Sequence, residues 1–221
     1  MSRPMTDTQN LHEWFDKSGT DRPLLIIAGP CVLETPEINR TIGAEVSQIC
    51  ADLDIPYVFK ASFDKANRSS ISSARGPGAE RGLEEIARIG RELCRPTCTD
   101  IHLPEQAKLA AEHVSLLQIP AFLCRQTDLL CAAAETGAAL NVKKGQFLGP
   151  DQMKNVISKV RPASIAAREG NLHVGDVILN GDADAIVHGG VPLVVSLVIV
   201  RFRTNPVRVG GCRSIHPPPR L

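Results

Sequence analysis

Residues Val58–Gly78 read VFKASFDKANRSSISSARGPG. An apolar run opens the stretch and passes into a glycine- and serine-rich segment that carries four cations, Lys60, Lys65, Arg68 and Arg75. Lysine supplies a mobile point charge and arginine a planar fork of donors. Serine, asparagine and glycine-exposed amides complete the oxygen contacts that a phosphoryl group needs. The competing reading is a solvated surface run of charge, but such runs seldom bring NRSS and RGPG together. The stretch therefore reads as a strand ending in a phosphate pocket.

Outward from it, short apolar runs alternate with longer amphipathic segments, the signal of repeated βα units on a parallel sheet. LLIIA (Leu24–Ala28) reads as a first strand and Pro36 to Leu53 as its helix. YVFK (Tyr57–Lys60) is the second strand; after the loop comes a helix over Ala79–Leu93, with Leu83, Ile86 and Ile89 on one face. PTCTD (Pro96–Asp100) is a third strand, followed by a helix that Pro104 opens and that runs through His113. SLLQI (Ser115–Ile119) precedes a helix from Gln126 to Glu135, and ALNVK (Ala139–Lys143) one from Asp151 to Val160. Five such units, with polar residues gathered at strand ends, suggest a (β/α)8 barrel whose chemistry sits at the C-terminal rim of the strands. A doubly wound open parallel sheet is the alternative, since it also collects residues at strand ends.

Composition narrows the function. With 221 residues, 43% of them hydrophobic, the chain can bury a full core as one domain. The formal net charge of +1 argues against a nucleic-acid binder working by bulk charge. No apolar run is long enough to span a membrane, and MSRPMTDTQNLHEWFDKSG has acids and no apolar signal core, so a cytoplasmic protein is expected. Seven scattered cysteines fit reduced thiols in that compartment. Cys94 and Cys98 bracket CRPTC, but no second pair completes a zinc site.

At the strand ends the motifs become specific. IAGPCVLE, FKASFDKANRSS, RGPG, TDIHLPEQA, LQIPAFLCRQTDLL and NVKKGQFLGP run in unbroken order from about Leu24 to Val160. Together they resemble 3-deoxy-D-manno-octulosonate 8-phosphate synthases, which join phosphoenolpyruvate to arabinose 5-phosphate in lipopolysaccharide precursor synthesis. The resemblance implies that carbon 3 of phosphoenolpyruvate attacks the sugar aldehyde, water adds at carbon 2, and phosphate leaves by carbon–oxygen cleavage. It places Lys60, Lys65 and Lys143 at the reacting enolpyruvate and makes Arg125 a clamp for its phosphate. It gives Asn67, Arg68 and Ser69 to the sugar phosphate, and Arg75 in the same loop is a further candidate substrate-binding residue. Asp100, Gln118 and Gln146 orient the sugar or the attacking water, or else tie strand ends to loops by ordinary hydrogen bonds.

The family resemblance further implies two classes, one with Asn and no metal where this chain has Cys31, the other with Cys as a ligand. A Cys31 thiolate suits zinc, iron or cobalt better than magnesium; its alternative is a small buried thiol. A homotetramer whose neighbouring subunit contributes to each site is also implied. The sister enzymes that use erythrose 4-phosphate typically carry a KPRTS-like loop where this chain has KANRSS.

The domains expected are an N-terminal extension over 1–22, five βα units over 23–160, and an unassigned tail over 161–221. Beyond Val160 the family's ERG-type strand, its metal-binding His and its further acidic ligands have no counterpart, as in a divergent or frameshifted reading. Arg168, His173 and His188 stand in unrelated surroundings and are given no role. A catalytically inactive remnant is accordingly a further alternative. The apolar run Val191–Val200 shows neither helical period nor βα spacing. Loss of three barrel strands is expected to bare two parallel edges and to leave the chain poorly folded.

Overall fold

The computed structural model describes residues 25–160, Leu11, and three further strands at 179–182, 186–188 and 191–199. Five βα units run in order: β1 (Leu25–Pro30), α1 (Pro36–Asp52), β2 (Tyr57–Lys60), α2 (Ala79–Leu93), β3 (Thr97–Asp100), α3 (Gln106–Ala111), β4 (Leu116–Ile119), α4 (Thr127–Glu135), β5 (Ala139–Val142) and α5 (Met153–Val160). From β1 to β5 each strand pairs in parallel with the next. The expected boundaries of β2 and α2 coincide with those observed.

Local chemistry sets the helix ends. Thr35 caps α1 by accepting from the Ile38 amide at 3.4 Å, with Pro36 in the first turn and Glu37 complementing the positive end of the helix dipole. α2 ends at Cys94, whose left-handed backbone (φ 50) lets the Arg95 amide return to the Gly90 carbonyl at 3.0 Å. α3 is shorter than the sequence suggests. The Gln106 side-chain oxygen accepts from the amides of His102 and Leu103, so the residues around Pro104 are spent in a turn before the helix.

The sheet has two apolar faces. On one, Phe59, Leu117 and Ile119 pack with Leu83, Ile86 and Ile89 of α2, Leu130 of α4 and Val156 of α5. On the other lie Leu25, Ile27, Val58, Cys98, Leu116 and Ala139, closed over by Leu11, the described residue of the N-terminal extension. Because side chains alternate along a strand, the residues two positions further on share that second face. They are Gly29, Lys60, Asp100, Gln118 and Asn141. Gly29 is fixed by proximity: a Cβ there would stand 2.1 Å from the Lys60 carbonyl oxygen.

Beyond the five units the structure departs from expectation. β6 (Leu179–Asp182), β7 (Ile186–His188) and β8 (Val191–Ile199) all pair antiparallel, β6 and β7 on β8. β8 itself lies against β1, in register from Leu25↔Val198 to Pro30↔Leu193. The order is β5-β4-β3-β2-β1-β8-β6, with β7 on β8. The parallel edge expected to be bare at β1 is thus covered, because a strand running back along β1 can satisfy its N–H and C=O groups as well as a parallel one. The β5 edge is the end of the described order. Arg168 and His173 lie outside the described residues. No described helix is long and apolar enough to cross a membrane.

Candidate active site

Lys60 ends β2 on the second face and is almost wholly buried, at 3% exposure. An ammonium so placed must be paired, since leaving a charge unpaired in the interior is costly. Its Nζ donates to Ser62 Oγ at 2.7 Å and lies 3.2 Å from Asp100 Oδ1 at the end of β3. Ser62 Oγ in turn donates to the same Asp100 oxygen. The other carboxylate oxygen, Oδ2, accepts from His102 Nε2 at 3.1 Å. Burial alone would push the Asp100 carboxyl up. The Lys60 charge and the hydrogen bonds from His102 and Ser62 overcome that and hold it well below the usual carboxylate range.

Next along the face, Gln118 in β4 accepts from Asn141 Nδ2 in β5 at 3.2 Å. Two buried atoms here lack a partner, Asn141 Oδ1 and His102 Nδ1. In a site that takes a ligand, such atoms are where its donors and acceptors go. Lys143 follows β5 half-buried, its amide bonded to the Ile119 carbonyl at 3.0 Å. Its charge reaches inward far enough to act on Cys98. Burial nevertheless pushes the Cys98 thiol up to about 12, against the pull of Lys60 and Lys143.

The loop between β2 and α2 rises from the rim beside Lys60. Lys65 and Arg68 are half-buried, Asn67 and Ser69 exposed. Arg68 Nε donates to the Ala74 carbonyl at 2.9 Å, which folds the loop back on itself. Arg75 faces Asp64, with Nε on Oδ1 at 2.8 Å and an Nη on Oδ2 at 2.6 Å. That hydrogen-bonded pairing raises the guanidinium pKa further. Arg125 and Gln146 stand exposed on the loops after β4 and β5.

Of the residues singled out in the sequence, Lys60 and Asp100 are in direct contact, and Gln118 shares their face. Lys65, Asn67, Arg68 and Ser69 sit together on one loop. Sequence reasoning missed Ser62, which contacts both Lys60 and Asp100, His102, which contacts Asp100, and Asn141, which contacts Gln118. The period of two along FKAS and LNVK was the available signal, because Ser62 repeats the facing of Lys60 and Asn141 that of Lys143.

Cys31 lies just past β1 and is half-buried. Among the described residues no group of three or more His, Cys, Asp or Glu side chains is placed to hold a metal ion. The described donors therefore do not by themselves make a metal site around Cys31.

As a whole the arrangement is a cationic, desolvated rim with a fixed carboxylate. It can bind small anions, orient them, and carry charge that shifts during reaction. The sequence matches the DAHP synthetase I family over residues 9–185. It is 45% identical over 202 residues to the 2-dehydro-3-deoxyphosphooctonate aldolase of Methylibium petroleiphilum, covering 90% of this chain and 70% of that one. To proteins of the same name it is 57% identical in Desulfotalea psychrophila over 145 residues, 66% of this chain and 52% of that. In Granulibacter bethesdensis the figure is 58% over 142 residues, 64% of this chain and 50% of that. The chain thus spans about half the length of the latter two relatives. Since the family match takes in well over half of the chain and the Methylibium protein is similar along most of its length, the chain belongs to the DAHP synthetase I family.

Proposed function

We propose that the chain catalyses the condensation of phosphoenolpyruvate with D-arabinose 5-phosphate and water, giving 3-deoxy-D-manno-octulosonate 8-phosphate and phosphate, a step of lipopolysaccharide precursor synthesis. The observation that carries the reading is the buried Lys60–Ser62–Asp100 cluster at the rim, beside a loop bearing Lys65, Asn67, Arg68 and Ser69. The names of the relatives point to the same product class.

In this reading Lys60 and Lys65 stand nearest the reacting enolpyruvate with Lys143 assisting, and Arg125 clamps its phosphate. Asn67, Arg68 and Ser69 grip the sugar phosphate. Asp100, held ionised, accepts hydrogen bonds from the sugar or from the attacking water, and Gln118 and Gln146 orient the same groups. Drawing both anions into a cationic pocket offsets their mutual repulsion and brings carbon 3 onto the aldehyde, which is where most of the rate gain arises.

Cys31 is proposed as a thiolate ligand to a divalent ion such as zinc or iron, whose other ligands have no identified counterpart in this chain. Closure into a (β/α)8 barrel, assembly as a homotetramer and a cytoplasmic site of action belong to the same proposal.

A coupled phosphate-release assay tests it. Release that requires arabinose 5-phosphate supports the reading. Release with erythrose 4-phosphate instead assigns the chain to the sister activity. No release with either marks a non-catalytic chain. Metal analysis of the purified protein beside Cys31→Ser tests the ligand: equal metal content in the two rejects it.

A further inference from the structure

The loop that joins β2 to α2 is pinned at its base. The Lys65 amide donates to the Arg75 carbonyl at 2.6 Å and the Gly78 amide to the Phe63 carbonyl at 3.2 Å, so the two limbs of the loop meet below the gripping residues. The chain turns sharply after Arg75 at Gly76, with φ +115. A Cβ there would stand 2.5 Å from the Phe63 carbonyl oxygen and 2.9 Å from a Val32 methyl. This turn leaves Arg75 opposite Asp64, where the guanidinium closes two parallel bonds on the carboxylate.

We propose that Asp64 and Arg75 are the latch of this loop, and that Asp64 is a positioning residue that sets the affinity for the aldose phosphate by holding Asn67, Arg68 and Ser69 in place, whereas Lys65 is kept by its own amide bond to the Arg75 carbonyl. The proposal deepens the functional reading above and rests on it. It reassigns Arg75 from phosphate ligand to structural partner.

Stereochemistry argues for the reassignment. An arginine binds phosphate best with the same two-donor fork that it offers a carboxylate. Arg75 has already committed Nε and one Nη to Asp64. To take a phosphate on that same edge it would have to release Asp64, and only the outer pair of Nη donors is left for any other acceptor. The pair is also too exposed, with the Arg75 side chain 59% accessible, to matter much for global stability. Its geometric consequence is local. It crosses the loop between residues 64 and 75 and lowers the entropy of everything hung between them, which is the cost a ligand would otherwise meet on binding.

Two measurements on the intact chain decide the matter. In the first, trypsin cleavage after Lys65 and Arg68 is followed in native buffer for wild type, Asp64→Asn, Arg75→Lys and the exchanged pair Asp64→Arg/Arg75→Asp. A latch gives about fivefold faster cleavage in each single variant and a return toward the wild-type rate in the exchanged pair. In the second, steady-state kinetics of Asp64→Asn should show about a fivefold rise in KM for the aldose phosphate, with kcat and the KM for phosphoenolpyruvate within about twofold of wild type. Unchanged cleavage and unchanged KM in Asp64→Asn, with a large KM increase in Arg75→Lys alone, would make Arg75 a direct phosphate ligand and overturn the latch. Should the wild type turn over no aldose phosphate, the functional reading fails, and the cleavage rates still decide whether the latch exists.

Discussion

The second face of the sheet, the one under Leu11, carries two layers that lie two residues apart along each strand. Toward the N-terminal ends stand Leu25, Ile27, Val58, Cys98, Leu116 and Ala139, an apolar floor sealed by Leu11. Two residues further on, about 6–7 Å along each strand, stand Gly29, Lys60, Asp100, Gln118 and Asn141. Strands, pleat and burial are shared, and only the chemistry changes. The floor supplies packing and excludes water. The rim spends that dry environment on a charged pair, whose interactions are stronger there than they would be in water. Support and chemistry are thus separable by substitution, in a way that a site built on loops would not allow.

The largest effect is expected at the rim. Lys60→Met and Asp100→Ala each leave the other charge buried without its main partner, which should cost about 3–5 kcal/mol in urea-induced unfolding. Lys60→Met should also lower kcat by about 10²–10³-fold, because it removes a preorganised cation from the site where charge shifts. At the floor, Leu116→Ala should cost about 2–5 kcal/mol of stability through lost contacts and a cavity. Below its melting range it should keep kcat within about twofold of wild type. A Leu116→Ala protein that is folded yet inactive would erase the division between floor and rim.

The pH dependence sharpens the comparison. The Asp100 carboxyl is depressed in the folded chain, whereas in the unfolded chain it returns to about 4. Between those values the unfolded state binds the extra proton. Its stabilisation is therefore complete above about pH 4–5 and is lost as the pH falls below that toward the depressed folded value. Urea midpoints measured from pH 6 to pH 3 should fall less steeply in Asp100→Asn than in wild type. Parallel slopes would mean that Asp100 is not held ionised.

A smaller effect separates the thiols. Cys98, deep in the floor, has its thiol pushed up by burial, as has Cys50. Native protein at pH 8 should alkylate at Cys94, which is exposed, and at half-buried Cys31. Cys98 should react about tenfold or more slowly than in denaturant. Mass mapping of iodoacetamide adducts reads this directly.

Much of this arrangement was legible in the sequence, for identifiable reasons. YVFK is a short apolar run following Pro56 and the stripe Leu83, Ile86, Ile89 has a period of three to four, so β2 and α2 fall where they were expected. α3 begins later than Pro104 suggests because Gln106 caps the preceding turn through a side-chain bond that periodicity does not register. β8 was missed as a strand. Its run of Val, Leu and Ile has no alternation to mark a facing, and its register comes from pairing with β1, β6 and β7. In the site, cations and acids at strand ends stand out by charge. Ser62 and Asn141 do not, because a small neutral side chain is informative only once the facing of its strand is known.

The claim that the polar rim receives an anionic substrate is tested most directly by calorimetric titration of phosphoenolpyruvate into wild type and into Lys60→Met, at a temperature where circular dichroism shows both folded. Saturable binding to the wild type, weakened about tenfold or more in the variant, is the expected result. Equal affinity in a folded Lys60→Met protein would contradict it.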